Sequence, residues 1–181
     1  LAEAGQKEQV VSMVQTLSDF FRASLNSGKD IVSLEGECRH ITSYLQIQQV
    51  RYQDILTYDV DIPEEIANCK IPKITLQPLV ENALYHGIKN KRGKGRIVVT
   101  GRREKDKCVI RVEDNGIGMT KERLNQVRGG LTTKIEDSND FYGLYNVNER
   151  IRLKFGEEYG LSIDSVLQEG TCVEVWLPWE S

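Results

Sequence analysis

At 181 residues the chain is long enough for one or two domains with a real core. Its 39% hydrophobic and 28% charged content is ordinary for a soluble globular protein. A net charge of −3 weighs against general nucleic-acid binding, and no apolar run reaches the length of a membrane-spanning helix.

The first residues, Leu-Ala-Glu-Ala-Gly-Gln, do not form a signal peptide. They begin mid-pattern without Met, so a fragment of a longer protein is expected. From Gln6 to Asn26, Val10, Val11, Met13, Val14, Leu17, Phe20, Phe21 and Leu25 recur at helical spacing, with Gly28 as a stop. A second helix is expected from Ser33 as N-cap, with Leu34, Cys38, Ile41, Leu45, Gln48 and Tyr52 on one stripe. A short polar loop would join the two as a hairpin, or their apolar faces would meet a partner chain.

Near residue 55 the period changes. Leu56, Tyr58, Val60 and Ile62 alternate with polar residues and predict a half-buried strand. A helix is expected over Leu79 to Ile88, with Pro78 in its first turn. Strands follow over Arg96 to Arg103 and Lys107 to Glu113, joined by a hairpin at 104–106. Thr120 to Tyr142 predicts a short helix and then a mobile flap. Gly143 to Phe155 predicts a helix, and Leu161 to Val166 with Thr171 to Leu177 a closing hairpin. The order implies an α+β fold, a mixed sheet covered by helices on one face. The division by texture is a helical segment, 1–54, and a sheet-bearing domain, 55–181.

Lys89 to Lys107 is locally basic. It reads as a solvated loop and hairpin, with the alternative that one or two cations meet phosphates. Cys38, Cys69, Cys108 and Cys172 show no metal-type spacing and suit a reducing compartment, with Cys108 and Cys172 as small buried side chains.

Four segments carry chemistry. In Leu79-Val80-Glu81-Asn82-Ala83-Leu84-Tyr85-His86-Gly87, Asn82 and His86 are four apart and share a helix face. The Asn carbonyl oxygen suits a hard cation such as Mg²⁺, and His86 suits a phosphate oxygen. Asp114-Asn115-Gly116-Ile117-Gly118-Met119 follows a strand, placing an anionic acceptor beside bare backbone, as an amino-bearing ring such as adenine requires. Tyr142-Gly143-Leu144-Tyr145-Asn146-Val147 opens a helix whose N–H groups suit phosphate. In Glu169-Gly170-Thr171 the Thr hydroxyl is placed to face a ligand. Each alone also reads as an ordinary turn or helix start.

Asn82, Asp114, Gly143 and Thr171, in this order and spacing, resemble the four nucleotide-binding boxes of the Bergerat-fold ATPases. That superfamily includes sensor histidine kinases, gyrase B, Hsp90 and MutL. Gln77-Pro78-Leu79-Val80-Glu81-Asn82-Ala83, His86-Gly87, Tyr44-Leu45-Gln46-Ile47-Gln48 with Arg51-Tyr52, and the Asn-Val-Asn-Glu-Arg run at 146–150 look like the LytS/YesM-like branch of sensor histidine kinases.

The resemblance implies a Bergerat-type α/β sandwich after a helical hairpin remnant, with ATP and Mg²⁺ as cofactors. Asn82 would hold Mg²⁺ and Asp114 would read the adenine amine. Gly116 and Gly118 would let the backbone approach the nucleotide, with Ile117 and Met119 in the same loop. Residues 120–142, Leu131 among them, would form a lid. Tyr142, Gly143 and Leu144 would sit at the phosphates, and Thr171 behind the adenine. Glu81 is the candidate to polarise an acceptor. The sequence departs from the family at Phe141, where a glycine is usual, and at Tyr85, where a lysine is usual, so Lys89 or another cation is the candidate substitute.

The activity implied is protein-histidine kinase activity: transfer of the γ-phosphoryl group to a His upstream of this chain, then to a response-regulator receiver Asp. The resemblance implies a homodimer, no nucleic-acid partner, membrane contact only through missing N-terminal segments, and a cytoplasmic location. His40 reads as a helix-surface or packing residue and not as the acceptor. The chain alone would therefore bind Mg-ATP without phosphorylating itself. The alternatives are a hydrolytic ATPase of the same fold, in which the base would stand where Pro78 is, and a non-catalytic dimerising module.

Overall fold

In a computed structural model of the chain, the structure describes residues 7–24, 30–53, 55–133 and 142–179. The first helix, α1 (Lys7–Ser24), lies along α2 (Leu34–Arg51). Ser33 caps α2: its hydroxyl accepts the N–H of Gly36 at 3.2 Å. Glu35 and Glu37 in the first turn suit the positive end of the helix dipole. The stripe of α2 is buried at Leu34, Cys38, Ile41 and Leu45, while α1 leaves Val11, Val14 and Phe21 more than half exposed.

The connection between these helices differs from the expected polar loop. Ile31–Ser33 forms a strand, β1, paired antiparallel with β3 (Lys70–Pro72), Val32 opposite Ile71. Three residues are too few to show a period, and the partner lies far along the chain. Gly28 lies outside the described residues.

The main sheet has five strands in the order β2-β4-β5-β7-β6. β2 (Leu56–Asp61) pairs parallel with β4 (Gly95–Glu104), and β5 (Lys107–Asp114), β7 (Gly170–Pro178) and β6 (Gly160–Val166) add antiparallel. Alternation sets the two faces. Ile97, Val99, Cys108, Ile110, Val112, Ile163, Val173, Val175 and Leu177 are buried in one core with α2, α3 (Leu76–Asn82), α4 (Lys121–Gly130) and α5 (Tyr142–Phe155). The opposite face carries ion pairs such as Arg102 with Glu104 and Glu174. Because α2 shares that core, the change of texture near residue 55 marks a change of element within continuous packing.

The expected helix over Leu79 to Ile88 begins earlier and changes character. It opens at Leu76, so Pro78 occupies the third position, where its absent N–H breaks no intrahelical bond. From Ala83 to Ile88 it widens into a π turn, in which the Lys89 N–H reaches the Leu84 carbonyl at 2.8 Å. The short helix expected after Thr120 is present. It is α4, capped by the Thr120 hydroxyl and fastened by Arg128, whose Nε donates to the Ile163 carbonyl at 2.9 Å. Residues 134–141, with the rest of the expected lid and Phe141, lie outside the described residues.

Candidate functional site

A cavity of about 340 Å³ opens between α3 with its π turn, α4, the start of α5 and one end of the sheet. That is within the range of small-molecule sites. Its walls are largely apolar, with Leu79, Ala83, Val112, Ile117, Met119 and Leu144 among them. Asp114 sits in this wall, only 6% exposed. Its placement follows from parity: Cys108, Ile110, Val112 and Asp114 alternate on the core-facing side of β5, so the strand's last residue brings a carboxylate to an apolar floor.

Two close approaches hold that carboxylate. Oδ1 accepts the Gly116 N–H at 2.8 Å. A Cβ on Gly87 would fall 2.5 Å from the same oxygen, so the residue after His86 must be glycine for Asp114 to seat. Gly116 in turn packs on Gly87, where a Cβ would come within 2.3 Å of backbone. Gly118, at φ +61, packs on the β6–β7 turn, with a Cβ 1.9 Å from the Val166 carbonyl oxygen. The expected role of Gly116 and Gly118 is to let the backbone approach a ligand. In the fold they are required by backbone packed on backbone, and Gly118 also borders the cavity.

Burial pushes the Asp114 carboxyl from its ordinary value near 3.8 up to about 6, partly opposed by the backbone N–H groups of Gly116 and Thr171 and by Lys91. The folded state therefore binds this proton more tightly than the unfolded chain. The resulting stability is fully present below pH 3.8 and is lost as pH rises through about 6. A rise of this size corresponds to about 3 kcal/mol. Asp114→Asn should thus stabilise the ligand-free chain at pH 7 by on the order of 1–2 kcal/mol, allowing for imperfect pairing of the amide, and the gain should vanish by pH 4. Urea unfolding of both chains across that range measures it; a difference independent of pH would refute the origin in ionisation.

The other proposed ligand contacts divide. Asn82, His86, Asp114, Ile117, Gly118, Met119, Leu144 and Thr171 all line the cavity. The Thr171 hydroxyl lies 2.9 Å from that of Ser165, which donates to the Gly170 carbonyl and accepts the Met119 N–H. Glu81, Tyr85, Lys89, Gly116, Leu131, Tyr142 and Gly143 are not in the lining. Glu81 accepts from Gln77 Nε2 at 2.9 Å. The ammonium of Lys89 sits over the Tyr85 ring at 5.5 Å. Leu131 is buried, and its carbonyl accepts from Asn148 Nδ2 at 2.8 Å. Tyr142 is 54% exposed. A Cβ on Gly143 would meet nothing closer than 3.8 Å, so packing does not demand glycine there.

The basic segment turns elsewhere. Arg96 pairs with Asp59, Arg103 lies 3.4 Å from the Trp179 ring centre, and Lys91 Nζ donates to the Asn115 carbonyl at 2.6 Å. Arg123 of α4 reaches the cavity instead, together with Asn90. Neither belongs to a recognisable motif; Arg123 is legible only as the third residue after the Thr120 cap. His40 is buried and not on the surface: it stacks on Phe20, and its Nε2 lies 2.6 Å from Gln77 Oε1. The cysteines are free thiols, Cys38, Cys69 and Cys108 buried and Cys172 half-buried, and burial pushes the Cys38 thiol up to about 12.

Comparison with known proteins adds to this geometry. Residues 72–181 match the family described as histidine kinase-, DNA gyrase B-, and HSP90-like ATPase, and residues 1–56 match one described as histidine kinase. The chain is 37% identical to the sensor histidine kinase YesM of Bacillus subtilis over 98% of its length, covering 29% of that protein. It is 34% identical to the sensor protein LytS of Staphylococcus saprophyticus over 96% of its length, again covering 29% of the relative. Thus the chain spans less than a third of these curated relatives. In fold it resembles the catalytic domain of histidine kinase ThkA, with TM-score 0.60 at 11% identity, covering 82% of this chain and 94% of that one. It likewise resembles the histidine kinase domain of a blue-light activated kinase from Erythrobacter litoralis, with TM-score 0.59 at 14% identity, covering 98% and 82%.

Proposed function

The chain belongs to the family of histidine kinase-, DNA gyrase B-, and HSP90-like ATPases, and on that premise we propose that it is the ATP-binding catalytic part of a two-component sensor histidine kinase. The observation that carries this reading is Asp114: a buried carboxylate at the floor of an apolar cavity that held one planar, amino-bearing ring would be satisfied by it. Oδ1 accepts the Gly116 N–H, the Thr171 N–H also acts on the carboxylate, and its remaining lone pairs are what an adenine amine would meet. The apolar walls suit the ring faces, and the Thr171 hydroxyl stands beside the same edge.

Asn82 and His86 line the cavity, and Arg123 in the same lining is a candidate cation for phosphate. Among the described residues there is no cluster of His, Cys, Asp or Glu fit to hold a metal alone. A single neutral Asn oxygen suits Mg²⁺, which keeps its waters and takes further oxygens from substrate phosphates. When bound, the ion would neutralise charge on the phosphates, and the protein's share of phosphoryl transfer would be positioning.

Neither histidine suits the role of acceptor. His40 is 4% exposed and hydrogen bonded, and His86 belongs to the nucleotide cavity. The phosphorylated His would lie outside these residues, and the phosphoryl group would pass on to a receiver-domain Asp. A homodimer and a cytoplasmic location complete the proposal; among the described residues no helix is long and apolar enough to cross a membrane.

Titration calorimetry with a non-hydrolysable ATP analogue tests it. Saturable binding that tightens with Mg²⁺, and no label on the chain after incubation with γ-labelled ATP, are expected. No binding with or without Mg²⁺ would leave the non-catalytic reading.

A further inference from the structure

The turn that leads into α3 is strained, and charged side chains grip it from two sides. Ile74 has φ +57, a left-handed backbone that a β-branched residue rarely adopts. Glu37 of α2, itself only 3% exposed, accepts the N–H groups of Ile74, Thr75 and Leu76 at 2.8, 3.0 and 3.1 Å. Arg150 of α5 donates to the Ile74 carbonyl at 2.8 Å. Both backbone polar groups of the strained residue are thus held, one by an anion and one by a cation, from different helices. Arg150 also lies within electrostatic reach of Glu37.

Of the three helices so joined, α3 and α5 line the cavity and α2 is linked to α3. α3 ends at Asn82 and passes through the π turn to His86. α5 borders the cavity at Leu144, and its Asn148 holds both the Leu131 carbonyl after α4 and the Leu161 N–H of β6, each at 2.8 Å. α2 packs beside α1 and sends His40 to Gln77 of α3. The Glu81 carboxylate only accepts, so Gln77 Nε2 must donate to it, Gln77 Oε1 must face His40, and His40 must carry its proton on Nε2. This second link has a single polarity and holds α3 in the same place.

We propose that Glu37 and Arg150 are positioning residues of the nucleotide site: from α2 and α5 they clamp the left-handed turn at Ile74, and the clamp sets where α3 presents Asn82 and His86. The proposal rests on the nucleotide-binding reading of the cavity. It assigns a role to the arginine of the Asn-Val-Asn-Glu-Arg run, and it makes the first helices a determinant of nucleotide affinity. Movement of α2 that withdrew Glu37 would release the turn and shift Asn82 away from the phosphates.

The test is built on strain. Glu37→Gln and Arg150→Met each loosen one side of the clamp, and Ile74→Gly makes the left-handed backbone free of cost, so the turn should hold without it. In the 181-residue chain, Glu37→Gln should weaken binding of the Mg²⁺-loaded ATP analogue about tenfold, and adding Ile74→Gly should restore it to within about threefold. Arg150→Met should show the same loss and rescue at smaller size, and it decides the matter if Glu37→Gln does not fold. Sucrose, which raises stability without touching the turn, should not restore affinity; if it does, the residues merely stabilise. Hydrogen exchange of the amides of residues 79–82, measured without nucleotide, should rise in each clamp variant and fall back with Ile74→Gly. Unchanged affinity and exchange in Arg150→Met would overturn the clamp. Should the parent chain bind no nucleotide while exchange follows the expected pattern, the clamp stands and the functional reading fails.

Discussion

Asp114→Ala should abolish most nucleotide affinity, and Asp114→Asn should do so at least as completely. Removing a charge-assisted acceptor costs about 1.5–3 kcal/mol, or roughly 10- to 150-fold in Kd. Asn is no conservative substitute at this position. Its carbonyl oxygen would stay with the Gly116 N–H, which leaves the Nδ2 donors facing the donor amine of the ring. The variant that stabilises the ligand-free chain at neutral pH is therefore the one expected to lose ligand, a trade that marks a site built for binding. Calorimetry with an ATP analogue and with the same analogue lacking the ring amine separates this contact from the rest. The parent chain should prefer the amine by at least about tenfold, Asp114→Ala should show no preference, and Asp114→Asn should favour the analogue lacking the amine. Preference retained in Asp114→Ala would remove this residue from base recognition.

Gly170→Ala should be among the most destabilising single changes to the fold. The residue has φ +129, and a Cβ there would fall 1.9 Å from the Asp114 carbonyl oxygen and 2.8 Å from its carbon. Both atoms are backbone, so no rotamer change relieves the contact. β5 and β7 would have to part at the register pair Asp114 and Thr171. A loss of about 2–4 kcal/mol is expected, read from urea unfolding, together with weakened nucleotide binding because the same pair carries the site. Gly93→Ala is the control. Its φ is +98, yet a Cβ there meets nothing within 4 Å, so only the conformational cost of about 1 kcal/mol should appear. Equal losses at the two positions would show that backbone conformation, and not the close approach of β7 to β5, governs Gly170.

Part of the site was legible before any coordinate. The burial of Asp114 follows from counting in twos along a strand whose alternate residues are apolar. Asn82, His86 and Leu144 were found by motif, and all line the cavity. Motif failed where the local backbone departs from the regular helix. The π turn over Ala83–Ile88 changes which side chains share a face, and Tyr85 and Lys89 pair with each other outside the lining. The basic run reads correctly as a solvated loop and hairpin, and its cations turn to Asp59, Trp179 and the Asn115 carbonyl; Arg123, which no motif marks, comes to the cavity because α4 docks across the sheet end.

The sequence by itself determined the long helices, the strands of the main sheet, their order and the buried parity of β5, since these depend on spacing of two or of about four residues along one chain. Tertiary structure alone decided which glycines are obligatory and why, the pairing of β1 with β3, the rescue of a strained Ile74 by Glu37 and Arg150, and the cation at the cavity. Each of these is a contact between segments widely separated in the chain: Gly87 with Asp114, Gly170 with the Asp114 carbonyl, and Ile74 with side chains 37 residues before it and 76 after it. Periodicity records which way a residue faces; it carries no record of what stands opposite.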